Sequence, residues 1–180
     1  MKLRNLTLTA VLTAGALVTF VIENQIPPLT AIPGIKLGLS NIFTLFTLFA
    51  VGVPEALSLL LVRVVLGSVI TGQTSALLYS MAGGILAFAV MLLLRRVIPE
   101  KQLWVISVFA AMAHNLGQIA AAVLLTETKQ VFYYLPVLLL AAIGTGAFTG
   151  ICAQTVLKRL RKSGQIKSKD NREKTGRDAS

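Results

Sequence analysis

Arg63, Lys36 and His114 are the groups on this chain whose chemistry is out of keeping with their apolar surroundings. Arg63 lies nine residues past Pro54 in an apolar run, which places it about 13 Å from the start of a helix there. A charge near the centre of a bilayer costs about 2.5–3.5 kcal/mol on insertion scales. Arg63 is therefore either an anchor for an anionic ligand group or a structural arginine satisfied by neighbouring helices. His114 and Gln118 stand four apart and Asn115 and Gln118 three apart, so they share one helix face. Their two readings are hydrogen bonding between helices and ligand contact. Lys36, Ser40, Thr44 and Thr47 follow helical spacing as a polar stripe, with Asn41 beside it. Lys36 either snorkels to the surface or is the outermost cation of an anion-attracting cavity. With one histidine and no nearby carboxylate, a metal site is not expected, and no cofactor or catalytic residue is suggested.

The elements that must carry these groups are apolar runs at 6–22, 34–51, 54–71, 75–94, 103–125 and 131–157. Each approaches the roughly 20 residues needed to cross about 30 Å of hydrocarbon. Hydrophobic residues make up 55% of the 180 and charged residues only 13%, against about 25% charge in soluble domains. A water-soluble domain is excluded. The expected fold is all-α: a multi-pass membrane bundle of about six helices over residues 1–157, with a basic, disordered tail over 158–180. Nine of the 17 Lys and Arg residues fall in that tail, whose few apolar residues argue against a fold. It reads as a tether to anionic lipid, so the net charge of +10 does not imply nucleic acid.

Charge placement sets the orientation. With both termini cytoplasmic, the inner segments hold Lys2, Arg4, Arg95, Arg96, Lys101 and the tail, while the outer loops hold Lys129, as the positive-inside bias requires. The first run is longer than a signal-peptide core and ends at Glu23-Asn24-Gln25, so it is expected to be a retained helix. The prolines at 27, 28 and 33 stiffen the first outer loop, which is expected to act as a lid. Cys152 is the single cysteine and has a packing role by default. Small residues four apart mark close helix contacts: Ala10 and Ala14, Gly34 and Gly38, Ala76, Ser80 and Gly84, and Ala142, Gly146 and Gly150.

Four strings occur in order: Pro33-Gly34-Ile35-Lys36-Leu37-Gly38-Leu39-Ser40-Asn41, Arg63-Val64-Val65-Leu66-Gly67, His114-Asn115-Leu116-Gly117-Gln118 and Tyr134-Leu135-Pro136. In these the chain resembles the bacterial membrane family labelled heptaprenyl diphosphate synthase component I, also called the Gx transporter family. That family is similar in size and plan to the substrate-binding S components of energy-coupling-factor transporters, which dock through an Ala-x-x-x-Ala motif in the first helix. The resemblance implies a bacterial inner-membrane protein binding a small, anionic or polar-headed solute through Lys36, Ser40, Asn41, Arg63, His114, Asn115 and Gln118. Ala10 and Ala14 would then meet a transmembrane coupling subunit with its ATPases. The family's other label implies a non-catalytic membrane component of heptaprenyl diphosphate synthesis for menaquinone side chains, beside a soluble prenyl transferase subunit. Prenyl-chain elongation needs Mg²⁺ held by clustered carboxylates, and the seven acidic residues of this chain form no such cluster in the helical region. Neither is there a Gly-x-x-x-x-Gly-Lys-Ser/Thr loop, so any ATP drive must come from partners.

Overall fold

The computed structural model describes residues 3–25, 36–72 and 74–164. The described residues form six α-helices: α1 (Leu3–Gln25), α2 (Asn41–Ala50), α3 (Val53–Thr71), α4 (Thr74–Leu94), α5 (Leu103–Thr126) and α6 (Leu135–Lys162). Short 3-10 turns at Glu100–Gln102 and Lys129–Tyr134 lead into α5 and α6. Five of the helices are long and apolar enough to cross a membrane, and α2 is not. The architecture is an all-α membrane bundle.

Residues 36–40 are not helical, so the second run expected at 34–51 yields only the ten residues of α2. Ten residues rise about 15 Å, half of a bilayer core. Lys36 and Ser40 consequently precede the helix that was expected to carry them. The other elements keep close to their apolar runs because run length and end chemistry agree. Pro54 sits in the first turn of α3, and Gly72 closes it in the left-handed conformation at φ 66°, an arrangement suited to a residue without Cβ. α6 begins at Leu135 and continues through Lys162, past the 157 limit of its apolar run.

The bundle is layered by close packing at glycines. A Cβ on Gly117 of α5 would lie 2.8 Å from the Gly83 Cα of α4. One on Gly146 of α6 would lie 2.7 Å from the Val108 Cα of α5. The Ala142, Gly146 and Gly150 ladder is buried in α6 and serves this crossing. Gly84 accepts the Leu60 side chain of α3, and Ser80 beside it is buried. Gly34 lies outside the described residues, as does the side chain of Ala76. The core joins Leu45 and Leu48 of α2, Leu60 and Val64 of α3, Ala87 and Met91 of α4, Ile106 of α5 and Ala153 of α6. Outward surfaces are apolar, with Val69, Leu93, Leu124 and Leu140 exposed, as lipid-facing sides should be.

The ends of the bundle are chemically distinct. Arg161 of α6 pairs with Glu100 at 2.7 Å and donates to the Phe49 carbonyl of α2 at 3.3 Å. These contacts bring the end of α2, the α4–α5 link and the end of α6 together. Arg95, Arg96 and Lys101 belong to that same end. Glu23, near the close of α1, meets the segment that begins α2 at the opposite end. The bundle therefore gathers Arg95, Arg96, Lys101 and Arg161 at one end, with Glu23 and the segment before α2 toward the other.

Candidate functional site

The non-helical segment 36–40 is the centre of the site, and side chains from three long helices hold it. Glu23 of α1 accepts the backbone N–H groups of Gly38 and of Leu39, the latter at 3.2 Å. Gln118 of α5 accepts the Lys36 backbone N–H through Oε1 at 3.3 Å. The Gly38 backbone lies against the ring of His114: a Cβ there would be 2.8 Å from its Cδ2 and 2.9 Å from Asn41 Nδ2. Gly38 also has φ +78°, so both conformation and space require glycine at this point.

Two cations enter the same region. Arg63 is 1% exposed; its Nη1 donates to Ser40 Oγ and its Nη2 to Asn41 Oδ1 at 2.9 Å. Its Nε has no hydrogen-bond partner. Lys36 places Nζ 3.5 Å from the centroid of the Phe20 ring, a cation–π contact, and makes no hydrogen bond with that ammonium. Phe20 in turn lies over Gly67 of α3, where any side chain would collide with the ring.

Two charge-bearing groups and one acid meet here: Lys36 and Arg63 against Glu23. Neither cation forms an ion pair with Glu23 among the described residues, although both act on it electrostatically. Among the described residues four donors, Lys36 Nζ, Arg63 Nε, Asn41 Nδ2 and Gln118 Nε2, are buried without a hydrogen bond, against one acceptor of the cluster's acid, Glu23 Oε2. Buried donors are ordinarily paired. A buried group with surplus donors and surplus positive charge is equipped to receive an anion.

The remaining residues of the sequence reading are distributed more widely. Asn115 is fully buried and donates from Nδ2 to the Leu138 carbonyl of α6 at 2.8 Å. It joins helices, while its neighbours His114 and Gln118 meet segment 36–38. Thr44 and Thr47 continue the buried stripe along α2 with no hydrogen bond to either hydroxyl. Beside Asn41, a cavity with room for about one water has a mixed lining, with Asn41, Ser107, Thr145 and Thr149 facing Met91, Ala110 and Ala111. Ala10 and Ala14 are exposed on α1, away from the cluster. Cys152 is half-buried. Among the described residues no group of three or more His, Cys, Asp or Glu could hold a metal. The proline-rich loop expected as a lid lies outside the described residues, as do residues 165–180 of the tail.

Glu23 and Phe20 were not singled out from sequence. Glu23 reads there as the polar end of an apolar run, yet it is 5% exposed and bonds across 15 positions. The signal that could have found it was a carboxylate at the end of that run, with Lys36 entering the next one.

The family model for heptaprenyl diphosphate synthase component I matches residues 12–156. No curated protein and no solved structure matches the chain.

Proposed function

The chain belongs to the heptaprenyl diphosphate synthase component I family, and from that membership together with the buried cation cluster we propose that it is a non-catalytic membrane component of prenyl diphosphate synthesis. In this reading it binds a prenyl diphosphate, with the anionic head at Lys36, Arg63, His114 and Gln118. The observation that carries it is the surplus of buried donors and positive charge around segment 36–40. The prenyl tail would lie along apolar surface, and the bilayer supplies that surface without a dedicated tunnel. Mg²⁺-assisted ionisation of an allylic diphosphate belongs to a separate catalytic subunit. The basic end carrying Arg95, Arg96 and Arg161 faces the cytoplasm, where such a subunit would dock.

Binding of farnesyl diphosphate, farnesol and inorganic pyrophosphate to the protein in nanodiscs tests this reading. Farnesyl diphosphate should bind at least tenfold more tightly than farnesol, and more tightly than pyrophosphate. Equal affinity for farnesol would mean that the cation cluster does not read the head, and the reading would fail.

A second reading, an S-component-like carrier of a small anionic solute, draws on the outward face of α1. Ala10 and Ala14 are exposed there, and α1 is the least buried of the long helices. Such a face suits a transmembrane coupling subunit.

A further inference from the structure

Glu23 is the one acid in the cluster, and its two oxygens are used differently. Oε1 takes both backbone N–H groups of segment 38–39, while Oε2 is buried with no hydrogen bond among the described residues. Among the described residues the charges that act on Glu23 are both cationic, Lys36 from the segment before α2 and Arg63 from α3; His114 of α5, which lies against Gly38, faces the same two cations. With Glu23 ionised and both cations protonated, the site carries one net positive charge. A phosphate-type head with two or more negative charges then overshoots neutrality, and uncompensated charge in a buried site is costly. One proton on Glu23 removes the excess of a doubly charged head and lowers that of a more highly charged one by one unit. It also turns the free oxygen from an acceptor into a donor, so that a carboxyl that would repel the ligand becomes able to hydrogen-bond it.

We propose that Glu23 is a further ligand-recognition residue and that the site takes up its multiply charged anionic head together with one proton, held on the Glu23 oxygen that has no partner. This rests on the anion-binding reading above. The proton comes from solvent and returns there when the anion leaves; no bond to the ligand is made or broken. Oε1 keeps the Gly38 and Leu39 amides in both states, so segment 36–40 stays in place. Selectivity follows: multiply charged heads bind with proton uptake, and singly charged heads gain nothing from it.

Calorimetric titration of farnesyl diphosphate into the wild-type protein at pH 8, in two buffers of different ionisation enthalpy, measures the protons exchanged. The wild type should take up about one proton per ligand bound. Glu23→Gln retains an oxygen for the two amides and offers a permanent donor; it should take up none and bind at least as tightly. Lys36 and His114 are the other titratable groups facing the site, and Arg63 keeps its proton throughout. His114→Gln should therefore retain the uptake, which separates Glu23 from the imidazole. Wild-type binding without proton uptake would overturn the inference and leave the anion-binding reading intact, as would unchanged uptake in Glu23→Gln. If the wild type binds no farnesyl diphosphate, both fall. Lys36→Arg, which keeps the charge in a group that does not titrate, should also retain the uptake; should Glu23→Gln fold poorly, loss of the uptake in Lys36→Arg would overturn the inference.

Discussion

Arg63 has two duties in one guanidinium. Its two terminal nitrogens each spend one N–H on Ser40 and Asn41, which leaves their second N–H groups and an Nε without a partner among the described residues; the structural and ligand-binding readings of this arginine are therefore not exclusive. Arg63→Gln should weaken farnesyl diphosphate binding by about 1.5–3 kcal/mol, the range for a hydrogen bond to a charged group. Arg63→Lys separates the duties, because an ammonium keeps the charge and loses the planar fork. It should recover part of the affinity while losing as much thermal stability as Arg63→Gln, since Ser40 and Asn41 can no longer both be served. Full recovery of stability in Arg63→Lys would show that the fork to Ser40 and Asn41 is dispensable. His114 and Gln118 also hold the same segment, through contact and through the Lys36 backbone, so their loss should weaken binding both directly and by displacing Lys36.

At the scale of elements, the site depends on how closely α5 approaches α4, because His114 and Gln118 are delivered from that crossing. Gly83 and Gly117 meet there backbone to backbone: a Cβ on Gly117 would lie 2.8 Å from Gly83 Cα and 2.9 Å from the Ala82 carbonyl oxygen. Backbone cannot yield as a side chain does, so Gly117→Ala should destabilise the protein by about 1–3 kcal/mol. Gly144 on α6 faces open space, with nothing within 4 Å of where a Cβ would stand; Gly144→Ala should be neutral, or stabilising by up to about 1 kcal/mol through helix propensity. Reversible unfolding in mixed micelles compares the two, and equal effects would contradict the packing account. These helices were legible in the sequence because a span is a local property: α3, α4 and α5 begin and end within a residue of their apolar runs. The start of α2 was not. Continuous apolar character through 34–51 reads as one helix, but Gly38 takes a positive φ and Glu23 and Gln118 capture the amides of residues 36, 38 and 39. Those partners come from other helices, and helical periodicity carries no record of them. Arg63, His114 and Gln118 could be found because polar groups stand out within apolar runs, whereas Glu23, at a run's edge, looks like a boundary.

For the whole molecule, the bundle presents two surfaces at which a partner could act, and they belong to different functions. The basic end gathers Arg95, Arg96, Lys101 and the α6 terminus around the Arg161–Glu100 pair. It faces water and suits a soluble subunit with an acidic surface. The outward face of α1, with Ala10 and Ala14, faces lipid and suits only another membrane helix. A component of prenyl diphosphate synthesis should use the first surface, and an S-component-like carrier the second. Replacing Arg95, Arg96 and Lys101 together by Gln should then abolish recovery of a soluble prenyl transferase from native membranes, with Ala14→Trp having no effect on it. For a carrier the pattern reverses: Ala14→Trp blocks recovery of a transmembrane coupling protein with its ATPases, and the triple Gln variant retains them. Farnesyl diphosphate binding should survive both sets of changes, because neither surface contributes a side chain to the Lys36 and Arg63 cluster. Recovery of ATPases without a prenyl transferase, lost on Ala14→Trp, would replace the synthase reading with the carrier and leave the anion site unchanged.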